Sequence, residues 1–269
     1  MKSPLRRSLI ADLPTVFELG PVDSRLQLLN AKFDALTQAQ TVDAVFELLR
    51  KGRSGWLSTV NVSTLMQMRK QPRLQSYVDR ALMVVADGQP IVWCASLFGG
   101  KLPERVAGID LLEALCARAE ADGVRVYFLG GTPSVIHGAA SEMRRRHPKL
   151  HIEASDGYFA ANSARSRIRQ IQSSRAGLLF VGMGTPLQEK FIEAYFEQSG
   201  TGIAIGVGGS FDVIAGLRFR APRWTARFGL EWLVRLVQEP RRLLWRYLTS
   251  NSVFCLLLAR KVASRLKRH

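Results

Sequence analysis

The chain has 269 residues, 47% of them hydrophobic, which is enough for one large packed domain with or without an appendage and too apolar for a disordered chain. Its formal net charge of +16 is uneven: from Gly216 onward thirteen Lys or Arg face only Glu231 and Glu239, so that region alone supplies +11. Such a basic block implies an acidic partner: nucleic acid, an anionic membrane surface or a diphosphate-bearing substrate. Charge alone does not choose among them.

Residues 1–23 read as a basic, poorly ordered N-terminus. The opening Met1-Lys2-Ser3-Pro4-Leu5-Arg6-Arg7 has the charge of a signal peptide, but Asp12 and Pro14 cut the apolar stretch behind it, so no export is predicted. Near the other end the longest apolar run, Val253 to Ala259, is far short of the roughly 18 to 20 residues of a membrane span. Any membrane contact is therefore expected to be peripheral. Cys94, Cys116 and Cys255 lie in apolar surroundings without metal-ligand spacing and read as reduced core residues of a cytoplasmic protein.

In chain order, residues 24–36 read as short extended segments, after which Thr41 is expected to cap a helix burying Val42, Val45, Phe46, Leu48 and Leu49. A strand Trp56 to Asn61 follows. Residues 63–81 read as helical, interrupted at Pro72, and deliver the chain to Leu82-Met83-Val84-Val85-Ala86-Asp87-Gly88, a buried strand ending in a carboxylate and a glycine. A short helix Ile91 to Phe98 comes next, then a loop in which Glu104 and Arg105 read as a solvated pair. A long helix ending at Asp122-Gly123 follows. Beyond it strands near Val124 to Leu129, Ile152, Leu178 to Val181 and Ile203 to Val207 alternate with helices ending at Arg146, Ser173 and Phe196.

This alternation means βαβ units, hence an α/β fold with a Rossmann-like, mostly parallel sheet and helices on both faces over 24–216. After Gly216 the strand signal stops. Residues 217–269 form a helical appendage, with basic amphipathic helices expected over Trp224 to Gln238 and Arg241 to Arg268. Their apolar stripe of Leu244, Tyr247, Leu248, Phe254, Cys255, Leu258 and Val262 suits packing on the domain, self-association or a membrane interface.

Open α/β sheets place their chemistry at strand ends, and two such ends carry Thr59, Asn61 and Asp87. The plainer readings stand beside this one, since Asp-Gly is a common turn dipeptide and Asn-x-Ser-Thr a common helix cap. The loops Gly182-x-Gly184 and Gly206-x-Gly208-Gly209 each follow a strand and precede a helix, where backbone amides suit a phosphate. Neither completes a dinucleotide fingerprint, because Leu187 and Phe211 occupy the third glycine position. No Asp-x-Asp pair occurs, and Pro148 breaks the helix on which His147 and His151 could chelate, so a leaving diphosphate would be met by Arg, Lys or amide donors.

The chain resembles the WecG/TagA/CpsF family of glycosyltransferases, family 26 of the sugar-transferase classification. The resemblance rests on Thr59-x-Asn61, Asp87-Gly88, Pro103-Glu104-Arg105-Val106-x-Gly108-x-Asp110-Leu111, Gly184-x-Pro186-x-Gln188-Glu189, Val207-Gly208-Gly209-Ser210-Phe211-Asp212, Arg220-Ala221-Pro222-x-Trp224, and Gly229-Leu230-Glu231-Trp232 through Arg235 to Glu239-Pro240-x-Arg242. It implies inverting, metal-independent transfer of a sugar, of glucose or N-acetylmannosamine type, from a UDP donor to a polyprenyl-diphosphate-linked sugar at the inner face of the cytoplasmic membrane. No cofactor is implied.

The resemblance further implies that Asp87 is the general base with Thr59 beside it, and that Asn61, Arg105, Gly184, Gln188, Gly208 and Gly209 line the substrate pocket. Arg235, Arg242 and Arg220 are expected to face the leaving diphosphate. Two departures stand out: Ala86-Asp87-Gly88-Gln89-Pro90 replaces the family's common Pro-Asp-Gly-x-Gly turn, and Trp245 stands where an arginine is common. The competing reading is a non-catalytic basic protein whose tail binds nucleic acid or membrane; the tail's Leu, Trp and Phe favour lipid over nucleic acid.

Overall fold

The computed structural model describes residues 25–160, 163–222, 225 and 228–266, with the side chains of 242, 246, 265 and 266 excepted. The expectations for residues 1–23, Trp224 and the last residues of the tail lie outside the described residues.

A small antiparallel hairpin, β1 (Leu26–Leu28) and β2 (Ala31–Phe33), opens the described chain. Helix α1 (Gln38–Arg50) begins one turn earlier than its apolar pattern suggests. Its cap is Thr37: the Gln40 amide donates to the Thr37 hydroxyl and the Thr37 amide to the Gln40 side chain. Thr41 lies inside the helix instead, its hydroxyl donating to the Thr37 carbonyl at 2.8 Å, because a buried hydroxyl one turn into a helix finds its acceptor in the turn before it.

Strand β3 (Gly55–Val60) is followed by α2 (Val62–Met68) and by α3 (Pro72–Asp79), which starts at the proline as a first-turn residue. Next come β4 (Met83–Ala86), α4 (Gln89–Cys94) with a 3-10 turn Ala95–Phe98, and α5 (Gly108–Asp122). The regular part continues with β5 (Val126–Gly130), α6 (Pro133–Arg146), β6 (Ile152–Ser155), α7 (Ala164–Ser174), β7 (Leu178–Gly182), α8 (Leu187–Ser199), β8 (Ile203–Gly206) and α9 (Ser210–Ile214). Strands β3 to β8 form one six-stranded parallel sheet in the order β4-β3-β8-β7-β5-β6.

Side chains of these strands alternate between two cores, as a sheet covered on both faces requires. Leu57, Met83, Val85, Phe128, Phe180 and Ile205 face α1, α5, α6 and α9. Val84, Tyr127, Leu129, Leu179, Val181 and Ala204 face α2, α3, α7 and α8. The β4 edge is covered by the segment after β2: the Asp34 amide donates to Val84 O and the Val84 amide to Asp34 Oδ2, with Arg25 paired to the same carboxylate at 3.0 Å.

The appendage holds α10 (Glu231–Gln238) and the long α11 (Pro240–Leu266). Helix α10 starts later than expected because Gly229 takes left-handed backbone at φ +65° and lies so close to Trp93 that a β-carbon would meet the indole at 3.0 Å. Phe254 of α11 is buried in the same core as α2 and α4, so the tail stripe packs on the domain over part of its length.

Gly182 closes β7 where a β-carbon would stand 2.5 Å from the Phe211 ring and 2.9 Å from Gly208 O. Gly182→Ala should therefore destabilise the fold by about 1–3 kcal/mol, read as a lower urea midpoint with unchanged slope.

Candidate active site

At the C-terminal edge of the sheet a cavity of about 710 Å³ opens. It is lined by the tips of β3, β4, β7 and β8 on one side and by the appendage on the other. Parallel strands all point their carboxyl ends the same way, which is why residues distant in sequence meet here.

The parallel register sets Val60 beside Ala86, so Asn61 and Asp87 leave the sheet as neighbours, and the Asp87 amide donates to Val60 O at 3.0 Å. Asn61 is both the helix cap and a wall of the cavity. Its Oδ1 accepts from the Thr64 amide at 3.0 Å, which leaves its Nδ2 amide as the group it can offer a substrate. Thr59 stands one turn of the pleat behind; its hydroxyl and the Asp87 carboxylate both border the space where a Gly108 side chain would begin.

Asp87 touches the cavity but is otherwise enclosed by protein, and burial pushes its carboxyl up to about 6. Arg235, Arg105 and the Gly108 amide pull the other way, while Glu231 adds to the rise. The carboxylate is thus a stronger base than an exposed aspartate, yet ionised at neutral pH.

Glu104 and Arg105 are not a solvated pair. Glu104 accepts from the Gln38 amide at 2.6 Å, whereas the Arg105 side chain is only 12% exposed and contacts Glu231 of α10, with Asp110 at 3.6 Å. Such burial needs carboxylate partners, and the loop turns the arginine inward to meet them. Arg220 contacts Asp110 and lies 3.5 Å from Glu113; Arg218 contacts Glu239 and lies 3.4 Å from Asp212. Arg235 lines the cavity with no ion pair to any described residue.

On the β7–β8 side, Gly184, Gly208 and Gly209 reach the cavity wall. Gln188 is buried; its Oε1 accepts from the Gly208 amide at 2.9 Å and its Nε2 donates to Glu189 at 3.0 Å. Gly206 admits this side chain, since a β-carbon there would stand 2.5 Å from Gln188 Nε2. Gln188 therefore holds the glycine loop as well as facing the cavity.

The cavity thus gathers Thr59, Asn61, Asp87, Arg105, Gly184, Gln188, Gly208, Gly209, Arg220 and Arg235. The Arg242 side chain, with Arg223, Arg227 and the Arg246 side chain, lies outside the described residues. The sequence reading placed none of Glu231, Arg218 and Trp93 in the substrate pocket and read Tyr247 as part of the tail's apolar stripe, yet all four line the cavity. The signal for Glu231 was its place in the Gly229-Leu230-Glu231-Trp232 block; nothing local marks its partner Arg105, 126 residues away. Of the cysteines only Cys116 is a core residue. Cys94 is half-buried and Cys255 exposed, both on the cavity wall, because the stripe of α11 that carries Cys255 faces open space there.

A parallel α/β sheet that gathers a buried carboxylate and glycine loops at its strand ends, faced by an arginine with no ion pair among the described residues, has the architecture of an enzyme that works at those ends. The sequence model of the Glycosyl transferase WecG/TagA/CpsF family matches residues 26–268, and the chain belongs to that family. It is also similar to the N-acetylglucosaminyldiphosphoundecaprenol N-acetyl-beta-D-mannosaminyltransferase of Bacillus spizizenii, with 32% identity over 222 residues that cover 82% of this chain and 85% of the relative.

Because the folded state raises the Asp87 carboxyl, ionising it opposes folding above its unfolded value near 4 and does so in full above about 6. Asp87→Asn should therefore stabilise the protein at neutral pH by up to about 3 kcal/mol, with the gain shrinking between pH 6 and 4. Denaturant melts of both proteins across that range check it.

Proposed function

We propose that the protein transfers a hexose or N-acetylhexosamine residue from a UDP donor to a sugar carried on a polyprenyl diphosphate, inverting the anomeric centre without a metal. The polymer served is an exopolysaccharide or another envelope polysaccharide. The observation that carries this reading is Asp87: a carboxylate raised to about 6, at the floor of a cavity walled by glycine loops and basic helices. Family membership and the activity named for the Bacillus spizizenii relative support the choice of a lipid-linked acceptor.

In this mechanism Asp87 accepts the proton of the acceptor hydroxyl while that oxygen attacks the anomeric carbon, and UDP departs from the opposite face. A single displacement inverts the centre. Thr59 and the Asn61 Nδ2 amide orient the sugars beside the base. The Gly208 amide is engaged by Gln188, so the donors offered to the leaving diphosphate are Arg235 and the Gly209 amide, with Arg242 assigned to the same task from its sequence block. Arg105 and Arg220 meet the substrate as members of the carboxylate-paired lattice that docks α10 against α5.

The protein works, in this reading, on the inner face of the cytoplasmic membrane as a peripheral enzyme. No helix among the described residues is long and apolar enough to cross a membrane, and the appendage exposes Leu233, Val237, Trp245 and Leu256, which suits a lipid surface.

The test is transfer from a panel of UDP-sugars to a short-chain lipid diphosphate sugar in the presence of EDTA. One donor should be used, and Asp87→Asn should lose roughly 10²–10⁴-fold in kcat while staying folded. Use of no donor contradicts the reading. The pH profile of kcat/KM should rise through about 6 and then level, because the base must be ionised. Arg235→Met removes a positive charge that lowers the Asp87 carboxyl and should move that limb to higher pH.

A further inference from the structure

The cavity does not end at its charged residues. From Asp87 it continues between α4 and α11, where one face of α11 lines it with Leu244, Tyr247, Leu248, Cys255 and Leu258, and with Asn251 and Ser252 midway. Val62 of α2 and Pro90, Trp93 and Cys94 of α4 line it as well. Leu244 to Leu258 spans roughly 21 Å at the helical rise per residue.

Among the described residues the charged lining is Asp87, Arg105, Arg218, Arg220, Glu231, Arg235 and Glu239, while Arg241, Arg260 and Lys261 of α11 are not part of the wall. The apolar arm is open, not collapsed: Leu248 is 52% and Trp93 53% exposed. Beyond Leu258, Lys261 Nζ stands 5.3 Å from the Phe98 ring. Apolar walls continuous with a diphosphate-sized polar end suit an amphiphile with a hydrocarbon tail attached to a diphosphate.

We propose that the isoprene units nearest the diphosphate of the acceptor lie in this arm, held between α4 and α11 by the protein and not by the bilayer. The proposal rests on the acceptor class given above and adds where its tail binds. The continuity of the apolar arm with the strand-end residues sets the occupant: a free acyl chain would have no use for the charged end, and a soluble sugar diphosphate none for Leu248 and Trp93. A branched, partly rigid prenyl chain also loses less freedom on confinement than a saturated one.

Cys94 and Cys255 give a readout that needs no catalysis, since both line the arm while Cys116 is buried elsewhere. Burial and the neighbouring Cys255 hold the Cys94 thiol above its ordinary value, so alkylation by N-ethylmaleimide is followed at mildly alkaline pH and mapped by mass spectrometry. The full-length protein is labelled without vesicles, with farnesyl diphosphate below its micelle concentration or with inorganic diphosphate. Farnesyl diphosphate should slow labelling of both cysteines severalfold and inorganic diphosphate should not.

Equal labelling in both cases overturns the proposal, as does protection that rises with protein concentration alone, which would mean that a second copy fills the arm. A kinetic arm uses acceptors with increasing numbers of isoprene units, again without vesicles. KM should fall more than about tenfold over the first two or three units and then level, since burying even two of their methylenes at about fourfold each gives about sixteenfold. If transfer proceeds with KM indifferent to tail length, the enzyme reading stands and this site falls. If protection is seen but no donor is transferred, the lipid site stands and the enzyme reading falls.

Discussion

The ion pair between Arg105 and Glu231 is the contact on which the rest of the site depends. It joins the loop before α5, which carries the Gly108 amide to the Asp87 carboxylate, to the first turn of α10, which brings Arg235 over the same carboxylate. Remove it and a mostly buried guanidinium loses its nearest counter-charge and keeps only the more distant Asp110 and Asp87, a change expected to cost up to several kcal/mol. The appendage would lose its register on the domain, and Asp87 would lose the balance of charges around it. Arg220 with Asp110, and Arg218 with Glu239, extend the lattice along the seam.

In the proposed mechanism this arrangement lets one aspartate be both buried and useful as a base. Burial alone would keep the carboxyl protonated into the neutral range, where it could not take a proton. Nearby positive charge alone would hold it too acidic to be an effective base. The opposing influences of Arg235 and Arg105 against burial and Glu231 leave it at about 6. That value belongs to the assembled cavity, because both Arg235 and Glu231 come from α10. The sheet supplies the carboxylate and the appendage supplies its electrostatic setting.

Much of the fold is legible in the sequence because it rests on short-range signals. Apolar runs such as Met83–Ala86 and Leu178–Gly182 announce buried parallel strands, Pro72 announces a break in the helical stretch 63–81, and the polar ends of β3 and β4 point to a shared crevice. What is not legible is whatever depends on a partner far along the chain. Arg105 looks like a solvated residue until α10 packs over it, and Glu104 like its mate until the Gln38 amide takes it. Thr41 resembles a cap because only geometry distinguishes it from Thr37. The apolar face of α11 suits packing on the domain, a dimer or a membrane alike, and only the docked helix shows that it lines the cavity at the strand ends.

The account stands or falls on the ionisation of Asp87 in the intact protein. The most direct measurement is a titration of its carboxyl by infrared difference spectroscopy, taking the native protein minus Asp87→Asn across the acid range. A carboxyl that ionises near 6 would confirm that burial outweighs Arg235, Arg105 and the Gly108 amide. Ionisation near 4, the ordinary value of an exposed aspartate, would contradict it and reduce Asp87 to a turn residue.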